Sequence, residues 1–277
     1  MSLSISSLNS GSNGNCYYIS NEEEAVLVDG GISCRETEKR MRRLGLSMKK
    51  VKAIFITHEH ADHIYGVASL SKKYKLPVYI TSNTLEHGRL NLKENLICSF
   101  NAYQPVSIGN LSVTAFPKHH DASDPHSFIV SGNGVNIGIF TDIGLPCFHV
   151  RKNFERCHAA FLEANYDEAM LEYGDYPYHL KNRIRGGKGH LSNTQAMQLF
   201  VKHRPSFMSH LFLSHLSRHN NSPEIVARLF TKVAGKTEII IASRHEETAV
   251  YTIQHQGAEY KADGWQPVHA VKQLSLF

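Results

Sequence analysis

Cysteine is scarce in this chain of 277 residues. The five present, Cys16, Cys34, Cys98, Cys147 and Cys157, are scattered, form no C-x-x-C pair and are odd in number. That excludes a disulfide framework and leads us to expect reduced thiols. Long apolar runs are also missing. The longest, such as residues 25–28 and 53–56, are strand-length, far below the roughly 18–20 apolar residues of a membrane span. Residues 1–10 lack a charged segment followed by an apolar one, so no secretory leader is read there. A soluble, cytoplasmic protein with no membrane partner is expected. No repeat, low-complexity tract or obvious linker interrupts the chain, and one domain over residues 1–277 is expected. Charge of either sign is modest, 30 Lys and Arg against 25 Asp and Glu, net +5. This mild basic bias slightly favours an anionic substrate and carries no message about fold. With 42% hydrophobic and 20% charged residues, 19 Gly and 9 Pro, the composition excludes a disordered chain, a collagen-like chain and a coiled coil.

Histidine is what the chain has in excess, 18 residues of 277, against about one in forty for ordinary globular chains. It is the commonest metal ligand and the usual proton carrier near neutrality, so placement decides its meaning. His87, His149, His158, His203, His210, His255 and His269 stand outside any motif and are read as structural. Short apolar runs bounded by turn residues predict strands at 3–8, 17–20, 25–29, 51–56, 77–80, 111–116, 127–130, 135–140, 158–162, 207–213 and 237–241. A helix is predicted from Ser33, its cap, to about residue 44, with Glu36 placed for a capping box. Others are predicted over 66–74, 193–203 and 223–232, the last with Ser222 as cap and Pro223 at its first position. Gly132-Asn133-Gly134 reads as a hairpin turn. The Tyr- and Gly-rich segment 173–189 reads as an ordered loop, and the chain beyond about residue 243 gives no clear pattern. Sheet in the centre with helices outside is expected. This α/β (α+β) pattern is compatible with a four-layer αββα sandwich.

The segment Thr57-His58-Glu59-His60-Ala61-Asp62-His63 contains H-x-H-x-D-H. At this composition three His and one Asp at fixed places arise by chance in roughly two chains per thousand. The motif directly follows an apolar strand, where a bent loop can aim several side chains at one point. Imidazole nitrogen and carboxylate oxygen are ligands for a divalent ion such as Zn²⁺. His58 and His60 can face one ion, and Asp62 and His63 a second. Four ligands cannot complete two sites. Further candidates come later in order: His119-His120-Asp121, Asp142 and His215, each just past a predicted strand, where sites of α/β sheets assemble.

In order, Asp29 within Leu27-Val-Asp-Gly-Gly31, the H-x-H-x-D-H loop, His120, Asp142 and His215 resemble the five motifs of the metallo-β-lactamase superfamily over residues of about 3 to 241. The resemblance implies an αββα sandwich with two divalent ions, Zn or Mn, between the sheet edges. It implies that His58, His60 and His120 hold one ion, Asp62, His63 and His215 the other, and that Asp142 bridges them. Asp29 would orient the ligand loop without being a ligand. Of His119 and His120, the latter precedes the Asp-Ala turn as the family's ligand does. Two departures narrow the placement. Most true β-lactamases carry cysteine where this chain has Asp142. The segment between Asp142 and His215 is also too short for the inserted domain of β-CASP nucleases.

Leu162-Glu-Ala-Asn-Tyr-Asp167 and Gly189-His-Leu-Ser-Asn193 resemble motifs of tRNA 3′-processing members, in which the histidine lies near the scissile phosphate. With Gly11-Ser-Asn-Gly-Asn15 and Leu213-Ser-His-Leu-Ser217, the set is similar to the YycJ (WalJ)-like subgroup, bacterial proteins regarded as DNA exonucleases. That likeness implies a metal-dependent phosphodiesterase using a hydroxide held between two ions, acting 5′ to 3′ on single-stranded or 5′-ended DNA. His190 would be the general acid, Glu163 its orienting partner and Asp62 a catalytic ligand. Ser12, Asn13, Asn15, Lys188, Ser192 and Ser217 are candidate substrate contacts. The basic run from Lys181 to Lys188, just before His190, suits a polyanion, whereas the basic face of the first helix (Lys39, Arg40, Arg42, Arg43) reads as solvated. An RNA-processing nuclease of the same fold and a glyoxalase II-like thioester hydrolase are the alternatives.

Overall fold

The computed structural model describes residues 2–255. Two seven-stranded sheets stack face to face. The first contains β1 (Ser2–Asn9), β2 (Cys16–Ser20), β3 (Ala25–Val28), β4 (Val51–Phe55), β5 (Val78–Tyr79), β6 (Ile97–Cys98) and β14 (Tyr251–Gln254), in the order β14-β1-β2-β3-β4-β5-β6. The second contains β7 (Pro105–Ile108), β8 (Leu111–Pro117), β9 (His126–Gly132), β10 (Val135–Phe140), β11 (Ala159–Glu163), β12 (His210–Ser214) and β13 (Glu238–Ile241), in the order β13-β12-β11-β10-β9-β8-β7. Each sheet begins antiparallel and becomes parallel, at β3 in the first and at β10 in the second.

Burial explains the layering. Leu3, Ile5, Tyr17, Phe55, Phe128, Phe161 and Phe212 join both sheets in one inner core. The outer face of the first sheet packs Leu27, Ile54 and Val78 under α1 (Cys34–Arg43) and α3 (Val67–Tyr74), through Met41, Val67 and Leu70. The outer face of the second packs Phe140, Leu162 and Leu213 under α5 (Phe148–Phe154), α8 (Asn193–His203) and α9 (Pro223–Thr231). Strands covered on both faces read as continuous apolar runs, which is why β3 and β11 lack alternation. The expected four-layer αββα sandwich is therefore present.

Several elements depart from expectation. Segment 173–189 is not a loop. It contains the end of α6 (Glu168–Tyr173) and all of α7 (Tyr178–Arg185). Asp167 caps α6 by accepting from Met170 N. Arg185 lies over the Tyr178 ring and pairs with Glu172, local bonds that composition does not reveal. The strand expected from 207 starts at His210, because Met208 N turns back to Pro205 O. Beyond residue 243 the described residues include β14, which pairs antiparallel with β1. The five cysteines are free thiols. No helix among the described residues is long and apolar enough to cross a membrane. His269, and the part of the one-domain expectation at residues 1 and 256–277, lie outside the described residues.

Candidate metal centre

Asp29, Asp142 and His215 have positive φ, at 61°, 56° and 55°, a conformation rare for residues other than glycine. Each lies within two residues of the C-terminal end of a strand, β3, β10 or β12. Such strain persists where surrounding bonds over-determine it, and here it aims side chains toward the gap between the sheet edges.

The motif loop leaves β4 and enters the short helix α2 (Ala61–Ile64). Asp29 holds it. Its carboxylate accepts from Thr57 N at 2.9 Å, from Thr57 Oγ1 at 2.9 Å and from His63 Nδ1 at 2.7 Å. Close packing demands glycine beside it, because a Cβ on Gly31 would lie 1.7 Å from Asp62 O. Asn15 N donates to the same carbonyl at 2.7 Å.

Two groups of donor atoms result. In the first, His58 Nε2 is 3.1 Å from His60 Nδ1, which is 3.3 Å from His120 Nε2. His58 Nδ1 lies 2.9 Å from Thr57 Oγ1, and His120 Nδ1 donates to Gly189 O at 3.0 Å, leaving Nε2 of both rings for the centre. His120 is buried and His119 exposed. In the second group, Asp62 Oδ2 lies 3.5 Å from His63 Nε2 and 3.3 Å from His215 Nε2. His215 Nδ1 donates to Glu163 Oε1 at 3.0 Å. Its backbone is fixed by Asn165 Nδ2 donating to His215 O at 2.8 Å and by His215 N donating to Ser10 Oγ at 2.8 Å. Asp142 stands between the groups, Oδ2 3.1 Å from His63 Nε2 and Oδ1 3.7 Å from His120 Nε2. Its Oδ2 is buried and faces His63 Nε2.

Charge separates the groups. Burial, with His63 and Lys118 nearby, drives His58 well below the usual imidazole range, and burial takes His120 down to about 4. These rings are neutral, as ligands must be. Burial also opposes charge on His215, yet Asp142, Asp62 and Glu163 push it up to about 10. Asp142, Asp29 and Asp62 likewise raise His63. Glu163 is held down at about 2, the His190 and His215 imidazoles outweighing its burial. The second group must therefore keep protons on two imidazoles to balance its carboxylates. This is a cluster short of positive charge, and a mixed imidazole and carboxylate set suits divalent Zn or Mn. His58, His60 and His120 can hold one ion, Asp62, His63 and His215 another, with Asp142 within reach of both.

A family model for the metallo-beta-lactamase superfamily matches residues 10–180. The chain belongs to the metallo-β-lactamase superfamily. It is 33% identical over 236 residues to the exodeoxyribonuclease YycJ of Bacillus anthracis, covering 84% of this chain and 89% of that one. It is 29% identical over 225 residues to the exodeoxyribonuclease WalJ of Streptococcus pneumoniae serotype 2, covering 79% and 83%. Zn²⁺-bound PqqB of Methylobacterium extorquens superposes with a TM-score of 0.69 at 13% identity, covering 91% and 99%. The protein is thus a hydrolase of this superfamily, whose fold implies divalent metal ions.

The remaining candidates in this metallo-β-lactamase-fold hydrolase fall into two sets. At the mouth, His190 Nδ1 donates to Glu163 Oε1 at 2.7 Å, and Glu163 Oε2 accepts from Ile143 N at 2.8 Å and Leu191 N at 3.2 Å. Glu163 thus positions His190 and His215 together. Ser12, Asn13 and Lys188 are exposed, with Ser12 and Asn13 on the loop beside the centre. The other set is turned inward. Asn15 is buried, its Nδ2 3.1 Å from Asp62 Oδ2 and from His63 Nε2. Ser192 Oγ caps α8 by accepting from Gln195 N, and Ser217 Oγ accepts from Asn220 N at 3.2 Å. The basic run is partly neutralised within the chain, Arg183 by Asp121 at 2.5 Å and Arg185 by Glu172 at 2.7 Å. Arg40 is not solvated but buried, donating to Leu8 O, Asn9 Oδ1 and His245 O.

Sequence reasoning missed Thr57, Ser10, Asn165 and Lys118. Thr57 carried a signal, since it immediately precedes the motif. Lys118 carried less. Buried beneath the centre, its Nζ donates to Thr141 O at 2.8 Å.

Proposed function

We propose that this hydrolase is a metal-dependent phosphodiesterase working as a DNA exonuclease, with 5′ to 3′ polarity. The observation that carries the reading is His190. Its ring sits beside Asp142, partly exposed, with Nδ1 bound to the buried Glu163 and Nε2 free of hydrogen bonds among the described residues. Ions held by the donor groups would supply Lewis acidity and a water nucleophilic at neutral pH. The chain's own residues do the rest. His190 Nε2 gives a proton to the leaving 3′-oxygen, and Glu163 stabilises the imidazolium before transfer. Thr57, Asp29 and Gly189 O fix the ring nitrogens that face the centre, so that little reorganisation accompanies reaction. Exposed rings of Tyr65 and Tyr173 offer faces on which unpaired bases stack. Two relatives named exodeoxyribonuclease support DNA as the substrate.

The test is one gel. Protein with Mn²⁺ is given 5′-phosphorylated single-stranded DNA and the matching RNA, with Asp62→Ala as control. Stepwise loss of DNA from the 5′ end, absent in the variant, is expected. Cleavage of RNA alone moves the reading to RNA processing by the same chemistry. Cleavage of neither, with metal bound, moves it to thioesters.

A further inference from the structure

Segment 243–248, unreadable in the sequence, is a strap pinned at many points. Ser10 N donates to Ser243 O at 3.1 Å, Arg40 Nη2 to His245 O at 2.9 Å, and Thr248 N to Ser7 O at 2.9 Å. Arg43 grips Glu247 through two hydrogen bonds. Arg40 and Arg43 of the first helix therefore serve this strap. The strap presents Arg244 to the tip of loop 10–15. Arg244 Nη2 donates to Ser12 Oγ at 3.0 Å, Asn13 Nδ2 donates to Arg244 O at 2.8 Å, and Arg244 Cβ packs on Gly11. That loop is also bonded to the centre, through Ser10 to His215 and Asn15 to Asp62. Arg244 has no carboxylate partner among the described residues. Its Nη1 is buried without any hydrogen-bond partner. Burial, with the Arg218 charge adding to it, lowers the Arg244 pKa. A guanidinium with no carboxylate partner and an unused donor is relieved by an anion.

We infer that Arg244, with the exposed Ser12 and Asn13, forms a subsite for a substrate phosphate flanking the scissile one. Resting on the phosphodiesterase reading, this makes Arg244 a specificity residue that reads a polynucleotide backbone, not a lone phosphodiester. The metals and His190 act on the reacting phosphate. Arg244 grips the next one and fixes the strand's register.

The test compares wild type, Arg244→Met and Arg244→Lys, all loaded with Mn²⁺, on a short single-stranded oligodeoxynucleotide and on bis(p-nitrophenyl) phosphate, which has no flanking phosphate. The Met variant is expected to raise KM for the oligonucleotide about tenfold, the worth of one charge-assisted hydrogen bond, and to lose much less on the small diester. The Lys variant recovers part of the loss. The slope of log affinity against log salt becomes shallower by about 0.7 in the Met variant, one phosphate contact fewer on a single strand. A neutral methylphosphonate at the flanking linkage slows wild type and costs the Met variant nothing further. Equal losses on both substrates with an unchanged salt slope would overturn the subsite. If wild type turns over neither substrate, the phosphodiesterase reading fails instead. Oligonucleotide binding to wild type and the Met variant by fluorescence anisotropy then still decides whether Arg244 grips a phosphate.

Discussion

The sheet carrying β4 brings four side chains to the centre on one loop of seven residues. The sheet carrying β8, β10, β11 and β12 brings His120, Asp142, Glu163 and His215 one at a time from strand ends, with His190 from the entry to α8. Each side uses one buried carboxylate as its clamp. Asp29 takes Nδ1 of His63 and the backbone N–H of Thr57. Glu163 takes Nδ1 of His215 and the N–H groups of Ile143 and Leu191. The difference lies in what else hangs on the clamp. Among the described residues Asp29 serves only the ligand loop, whereas Glu163 also holds His190. On the proposed function, one side builds affinity for metal and the other couples that affinity to proton transfer.

Asp142 belongs to both groups, so its loss should be the largest effect. Asp142→Ala should bind fewer ions, measured by metal analysis after gel filtration. It should lose more activity than the about 10–100-fold typical of removing a residue behind a ligand. An active variant with full metal content would mean the two groups work independently.

The clamps themselves sharpen the comparison. Asp29→Asn and Glu163→Gln should each weaken metal binding by about 10–100-fold. Only Glu163→Gln should also change the pH profile of kcat at saturating metal, because only Glu163 touches His190. Identical pH profiles for the two variants would remove His190 from proton transfer.

Charge predicts a smaller difference. His63 and His215 are raised, so near pH 7 both carry protons that a bound ion must displace. His58 and His120 are depressed, the latter to about 4, and have none to lose. Metal binding should therefore release protons, and affinity should fall as pH is lowered, by up to about tenfold per unit for each proton displaced. Calorimetry in two buffers of different ionisation enthalpy checks this. Buffer-independent heats would show that the carboxylate-rich group takes no ion.

The same comparison explains what could be read in advance. The loop from His58 to His63 was legible because its chemistry is contiguous and follows an apolar strand. Asp142 and His215 were legible only as single residues past strands, and their convergence depends on parallel pairing across β10, β11 and β12, a long-range fact. Helices α6 and α7 were hidden by a Tyr- and Gly-rich composition whose order comes from Asp167 capping and the Arg185 contacts. Arg40 looked solvated because helical position shows a basic stripe, while its burial depends on the strap at 243–248, far away in the chain.

Ser192 gives the smallest and most discriminating test, because its two possible roles predict different readouts. Its hydroxyl accepts from Gln195 N, and Gln195 Oε1 accepts from Ser192 N, a capping box at the start of α8. Ser192→Ala should destabilise by about 1 kcal/mol, lowering Tm by about 2–4 °C for a chain of this size. His190 lies two residues before the cap, on the side of the centre that has no contiguous loop. A frayed α8 should therefore lower kcat modestly by loosening His190, with little change in KM. A hydroxyl that instead contacts substrate would raise KM while leaving Tm nearly unchanged. Measuring Tm and both kinetic constants on one variant separates a cap that steadies the acid from a residue that grips the substrate.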